Sequence, residues 1–211
     1  MIYKKIIRKF CLLTWKIWEK LGIHVVPDHF YFPYQNSKKL EEHDFDAQFP
    51  LDGIKFHLED MKKKIFSFGK YKEEYQKIHK EKGYTSNGDG AILYSMIREI
   101  KPQKIIEVGS GYSTLIMSEA IKLNQKESLV SCNLTSVEPY PIPELLELTK
   151  KNDVTLIKKK VEYLDTDLFM RLSKNDILFI DSSHVVDIGN DVHFLYLKIL
   201  PQIPVVQDVQ E

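Results

Sequence analysis

A chain of 211 residues, 43% apolar and 28% charged, is long enough to bury a substantial core and has the composition of an ordinary globular protein. Thirty basic residues balance thirty acidic ones, so the molecule as a whole exerts no long-range pull on nucleic acid and any basic surface must be local. Only two cysteines are present, Cys11 and Cys132; without paired spacing they support neither a disulfide framework nor a thiolate zinc site, and they fit a reducing compartment.

At the amino terminus Tyr3, Ile6, Ile7, Phe10, Leu13, Ile17 and Leu21 recur at helical spacing, while Lys4, Lys5, Arg8, Lys9, Lys16 and Lys20 take much of the remaining surface. The pattern predicts a basic amphipathic helix with Trp15 and Trp18 near its boundary. Such a helix packs on its own domain, on a second subunit, or on a membrane surface. It does not read as a signal peptide, because Lys16 and Lys20 follow the short apolar stretch and no small-residue cleavage site appears. No run reaches the roughly eighteen apolar residues needed to span a bilayer, so the expected location is the cytoplasm, in solution or at a membrane periphery.

Aromatic and proline punctuation follows at Pro27, Phe30, Tyr31, Phe32, Pro33 and Tyr34, then a lysine-rich stretch over 62–82. Lysines there alternate with Glu73, Glu74 and Glu81, which marks a solvated helix face rather than a nucleic-acid groove. Residues 1–87 are expected to form a mainly helical accessory region.

From Gly88 the pattern changes to alternating helix and strand. Ile92, Leu93, Met96, Ile97 and Ile100 are expected to line one face of a helix that starts near Asp89 and stops before Pro102. Strands are predicted over 104–108, 133–138, 154–158 and 177–181, with helices over 113–123 and 144–151 between them. This alternation predicts a Rossmann-like, doubly wound, mostly parallel sheet over 88–211, covered by helices on both faces. Ligands in such folds bind at the carboxyl ends of the strands, where Gly109, Glu138 and Asp181 fall.

The first strand runs into Glu107-Val108-Gly109-Ser110-Gly111-Tyr112-Ser113-Thr114. Two glycines one residue apart allow a tight turn and a close backbone approach to a ligand, and Glu107 is an acid placed to accept hydrogen bonds from a cationic or hydroxylic group. A dinucleotide fingerprint would carry glycine or alanine where this chain has Thr114, which disfavours a nicotinamide-dependent oxidoreductase.

This segment resembles motif I of class I S-adenosylmethionine-dependent methyltransferases. The stretch from His24 to Tyr31, Leu93-Tyr94-Ser95-Met96-Ile97-Arg98 and Asp176-Ile177-Leu178-Phe179-Ile180-Asp181-Ser182-Ser183-His184-Val185 are similar to the same bacterial group of these enzymes. The resemblance spans about His24 to Pro201. It implies S-adenosylmethionine as cofactor, with Gly109 and Gly111 allowing the loop near its methionine moiety, Ser110, Tyr112 and Ser113 as further cofactor-binding residues, Glu107 acting there through the loop backbone or a water, and Glu138 on the ribose hydroxyls. Asp181 is a further cofactor-side candidate.

Methyl transfer is an in-line displacement from a sulfonium donor, so the enzyme aligns the acceptor and, for a hydroxyl, helps remove its proton. Asp181 and His184 are the candidate catalytic pair, His184 as base and Asp181 as orienting group; the alternative is that the Asp-Ser pair caps the next helix. Asn190, Asp191 and His193 read as supporting or surface groups. Asp181 and Asp208 are the acids a divalent metal would use, and no metal site is assigned.

A full class I domain has seven strands, whereas this chain ends in or just after a predicted fifth over 205–209. The expectation is therefore an incomplete sheet at the carboxyl end. The leading function is O-methylation of a small molecule or saccharide; the alternatives are a non-catalytic cofactor- or partner-binding protein and, less favoured, an NAD-dependent oxidoreductase. No nucleic-acid partner is expected, and the basic helix allows membrane or homo-oligomer contact.

Overall fold

The computed structural model describes residues 2–25, 41, 57–82 and 88–203. The chain divides into two compact units, Met1–Phe56 and His57–Glu211. The first holds helix α1, Ile2–Lys20, closed by a left-handed Gly22 (φ +72°) and by the Ile23 amide donating to the Trp18 carbonyl at 3.0 Å.

In the second unit α2 (Leu58–Ser67) and α3 (Lys72–Lys82) precede α4 (Asp89–Ile100). The compact unit that holds the sheet begins at His57, and within it these helices share a core. Tyr75 and Ile78 of α3 are buried with Tyr94 and Ile97 of α4, and the Tyr71 hydroxyl donates to Glu99 at 2.9 Å. The buried face of α4 is also turned from the expected one. Tyr94, Ser95, Ile97 and Arg98 point inward, whereas Ile92 and Met96 are exposed.

Then come β1 (Lys104–Val108), α5 (Tyr112–Ser128), β2 (Asn133–Val137), α6 (Pro143–Lys150), β3 (Thr155–Ile157), a short α7 (Asp167–Met170), β4 (Ile177–Ile180) and α8 (Asp191–Phe194), which runs on through a π turn over Leu195–Ile199. The strands form one parallel sheet in the order β3-β2-β1-β4, with Ile106 level with Thr135 on one side and Leu178 on the other. This is the doubly wound, Rossmann-like arrangement. The predicted fifth strand over 205–209, and Asp208 with it, lies outside the described residues.

Alternation along the strands builds two cores, since successive side chains point to opposite faces. Ile105 and Leu134 pack among Leu115, Met117, Ile121 and Leu145 on one face. Ile106, Val108 and Val137 pack among Val161, Phe169, Phe194 and Leu195 on the other. Glu107 and Ser136 share the first face with Ile105 and Leu134, which turns a carboxylate into the interior.

Candidate functional site

From β1 the chain crosses to β2 on one side, and β4 later pairs with β1 on the other. The carboxyl ends of β1 and β4 therefore bound the switch-point crevice at which open α/β sheets bind ligands. A cavity of about 410 Å³ opens there, lined by Gly109 and Ser110 after β1, Glu138 after β2, Lys160 and Glu162 after β3, and Asp181, Ser183 and Asp191 after β4. Its volume lies within the roughly 300–1,000 Å³ of small-molecule sites.

Gly109 adopts φ +84°, and a Cβ built on it would lie 1.9 Å from the backbone oxygen of Asp181. The tight turn thus lets β1 and the end of β4 close on each other, with the Asp181 amide donating to the Val108 carbonyl at 2.9 Å. Gly111 is different: nothing lies within 4 Å of the position its Cβ would take. Tyr112 is half exposed on the first turn of α5, and Ser113 turns inward.

Glu107 does not face the cavity. Fully buried, it accepts from the hydroxyls of Ser113 (2.6 Å), Thr114 (2.6 Å) and Ser136 (3.0 Å), while Thr114 Oγ1 in turn accepts the Gly111 amide at 3.2 Å. The residue that replaces the third glycine is therefore a buried hydroxyl that ties the glycine turn to Glu107. Burial raises the Glu107 pKa to about 7 against the opposing pull of the three hydroxyls, and the charge of Asp181 adds to the rise.

A pH dependence follows from that shift. The folded pKa of Glu107 lies above its usual 4.5, so its contribution to stability is fully present below about pH 4.5 and is lost as pH rises through about 7. Glutamine mimics the protonated form. Glu107→Gln should therefore gain on the wild type as pH rises from 5 to 8, by up to about 3 kcal/mol. Urea unfolding at several pH values measures the difference, and a pH-independent one would show that Glu107 is not neutral in the fold.

Glu138 is half-buried and faces the cavity. Its Oε2 accepts the Ser110 amide at 3.1 Å and its Oε1 the Tyr140 amide at 2.7 Å, so the glycine turn and the β2 loop together fix the carboxylate. An ionised carboxylate has about four acceptor positions, which leaves two for a ligand. The Ser110 hydroxyl, also on the cavity wall, is buried without a hydrogen-bond partner.

Beyond β4, Asp181 Oδ1 lies 3.1 Å from His184 Nε2 on an exposed loop where His184 takes φ +60°. Neither residue caps the following helix. Asn190 is the cap, accepting the His193 amide at 3.0 Å and donating from Nδ2 to the Val185 carbonyl at 2.6 Å. Asp191, which the pattern assigned a supporting or surface role, lines the cavity and accepts from the Ser183 amide (2.7 Å) and hydroxyl (2.6 Å). Burial works to raise its pKa, but these hydrogen bonds outweigh it and hold the carboxyl below its usual range.

His184 opens onto a neighbouring cavity of about 380 Å³ whose walls are largely apolar, with Ile180, Val186, Val192 and Leu197 beside Ser182 and His193. The two cavities share Ser182 and are linked by the Asp181–His184 pair. Lys160 and Glu162 went unnoticed in the sequence. Their place directly after β3 of a parallel sheet was the available signal. Among the described residues no three His, Cys, Asp or Glu side chains converge as metal ligands.

No protein-family model matches the chain. It is 27% identical over 168 residues to an uncharacterised protein of Archaeoglobus fulgidus, covering 72% of this chain and 75% of that one. Among solved structures it is similar to an SAH-bound methyltransferase of Podospora anserina, with a TM-score of 0.33 and 18% identity. That similarity covers 64% of this chain, which spans 60% of the Podospora chain.

Proposed function

We propose that the chain is an S-adenosylmethionine-dependent methyltransferase that methylates an oxygen of a small molecule or saccharide. The observation that carries this reading is the Glu138 carboxylate. Backbone amides of the glycine turn after β1 and of the loop after β2 hold it, with two acceptor positions left for a pair of ribose hydroxyls. The unpartnered Ser110 hydroxyl beside it supplies a donor or acceptor that a polar ligand would satisfy.

The bound cofactor would supply an electrophilic methyl group on a sulfonium. The protein's own contribution is alignment and proton removal. His184 Nε2 lies 3.1 Å from Asp181 Oδ1 and His184 lines the cavity next to the crevice, so its imidazole can take the acceptor's hydroxyl proton while Asp181 orients the ring.

Calorimetric titration with S-adenosylhomocysteine and with NAD tests the cofactor assignment. Binding of the first and not the second is expected, and Glu138→Ala should weaken it at least about tenfold, since hydrogen bonds to a charged group contribute about 1.5–3 kcal/mol. Asp181→Asn and His184→Ala should keep that affinity and lose methyl transfer. Unchanged affinity in Glu138→Ala would remove the central support.

A further inference from the structure

Helix α1 carries an exposed apolar face. At 100° per residue Leu13, Ile6, Ile17, Phe10 and Leu21 fall within an arc of about 80°, which Ile7 widens to about 120°. All six are more than half exposed, with Leu13 at 74%. Lys5, Lys16, Lys9 and Lys20 occupy the adjoining arc of about 60°, directly beside Leu13. On the far border Trp15 and Trp18 are partly exposed and Cys11 is buried.

Charge decides what fits this face. The helix has six basic residues against the single acid Glu19, which lies on the side away from the apolar arc. Two copies meeting through their apolar faces would offer each lysine row no acid row to pair with, since Glu19 lies on the other side of the helix. An anionic lipid surface accepts the apolar arc below its headgroups and neutralises the lysines at headgroup level. At about 28 Å the helix has the length to lie along that surface. Among the described residues no helix is long and apolar enough to cross a membrane.

We propose that α1 is an interfacial anchor that docks the protein on an anionic lipid bilayer, with Phe10, Leu13 and Ile17 inserted and Lys9, Lys16 and Lys20 at the headgroups. This inference does not rest on the methyltransferase reading.

Trp15 and Trp18 are the chain's only two tryptophans, so tryptophan emission, excited apart from that of the tyrosines, reports on this helix alone. Mixing the full chain with phosphatidylglycerol vesicles should shift the emission to the blue and bring the protein down with the vesicles. Binding should be at least about tenfold weaker to phosphatidylcholine and should be reversed by raising salt from about 0.1 to 0.5 M. Phe10→Asp with Leu13→Asp should abolish it; so should Lys9→Glu with Lys16→Glu, which leaves the apolar face intact. Both pairs change exposed positions and should keep the wild-type unfolding transition. The proposal is overturned by no vesicle binding, by equal binding to both lipids, or by self-association in sedimentation that the same substitutions remove.

Discussion

Replacing Gly109 by alanine should cost about 3 kcal/mol or more of stability and leave no measurable affinity for S-adenosylhomocysteine. Two effects combine. A left-handed residue with a Cβ pays about 1–2 kcal/mol, and Gly109 sits at φ +84°. The new methyl would also stand 1.9 Å from the Asp181 carbonyl oxygen and 2.7 Å from its carbon, both backbone atoms with no rotamer to retreat into. Relief requires β1 and β4 to part at the Asp181–Val108 hydrogen bond, which deforms the crevice itself. Gly111→Ala is the matched control: with open space around its Cβ position, it should stay within about 0.5 kcal/mol of the wild type. Thermal unfolding of both variants together with ligand titration makes the comparison, and equal behaviour of the two would show that the turn does not close on Asp181.

The two glycines had equal standing in the sequence, because Gly-X-Gly states only that the chain turns. Which one is sterically required depends on β4, a partner some 70 residues away. Strand positions were legible for the opposite reason: runs such as Lys104–Val108 and Ile177–Ile180 are short, mostly apolar and followed by turn residues, so local pattern sufficed. Glu138 and Asp181 were legible as strand-end acids in a parallel sheet. The role of Asp191 was not, since its partner Ser183 lies across a loop whose path no periodicity encodes. The face of α4 was misjudged because Ile92 and Met96 are apolar yet exposed, while the buried stripe carries Tyr94 and Arg98.

Arg98 explains why the stretch from residue 57 belongs with the sheet, and removing it should cost about 3–5 kcal/mol. Arg98 is 3% exposed, and its guanidinium donates to Glu74 from Nε at 2.6 Å and from an Nη at 3.2 Å, to Glu127 at 2.7 Å, and to the Asn124 side-chain oxygen. Glu74 comes from α3, Glu127 and Asn124 from α5, so one side chain of α4 fastens three helices. Burial disfavours both charges, yet the hydrogen bonds outweigh it: the Arg98 pKa is raised and that of Glu74 lowered. In Arg98→Ala the Glu74 carboxylate would keep only the Tyr94 hydroxyl, at 2.5 Å, as a partner within this cluster. Asn124 would retain its bond to the Ile97 carbonyl at 2.8 Å. Most of the expected loss is thus the penalty for an uncompensated charge. The double change Arg98→Met with Glu74→Leu removes both charges and should recover at least half of that loss in urea unfolding. If the double variant is as unstable as Arg98→Ala although Met restores the packing of the stem, the guanidinium's own hydrogen bonds, rather than the penalty of an uncompensated charge, hold α3 to the core.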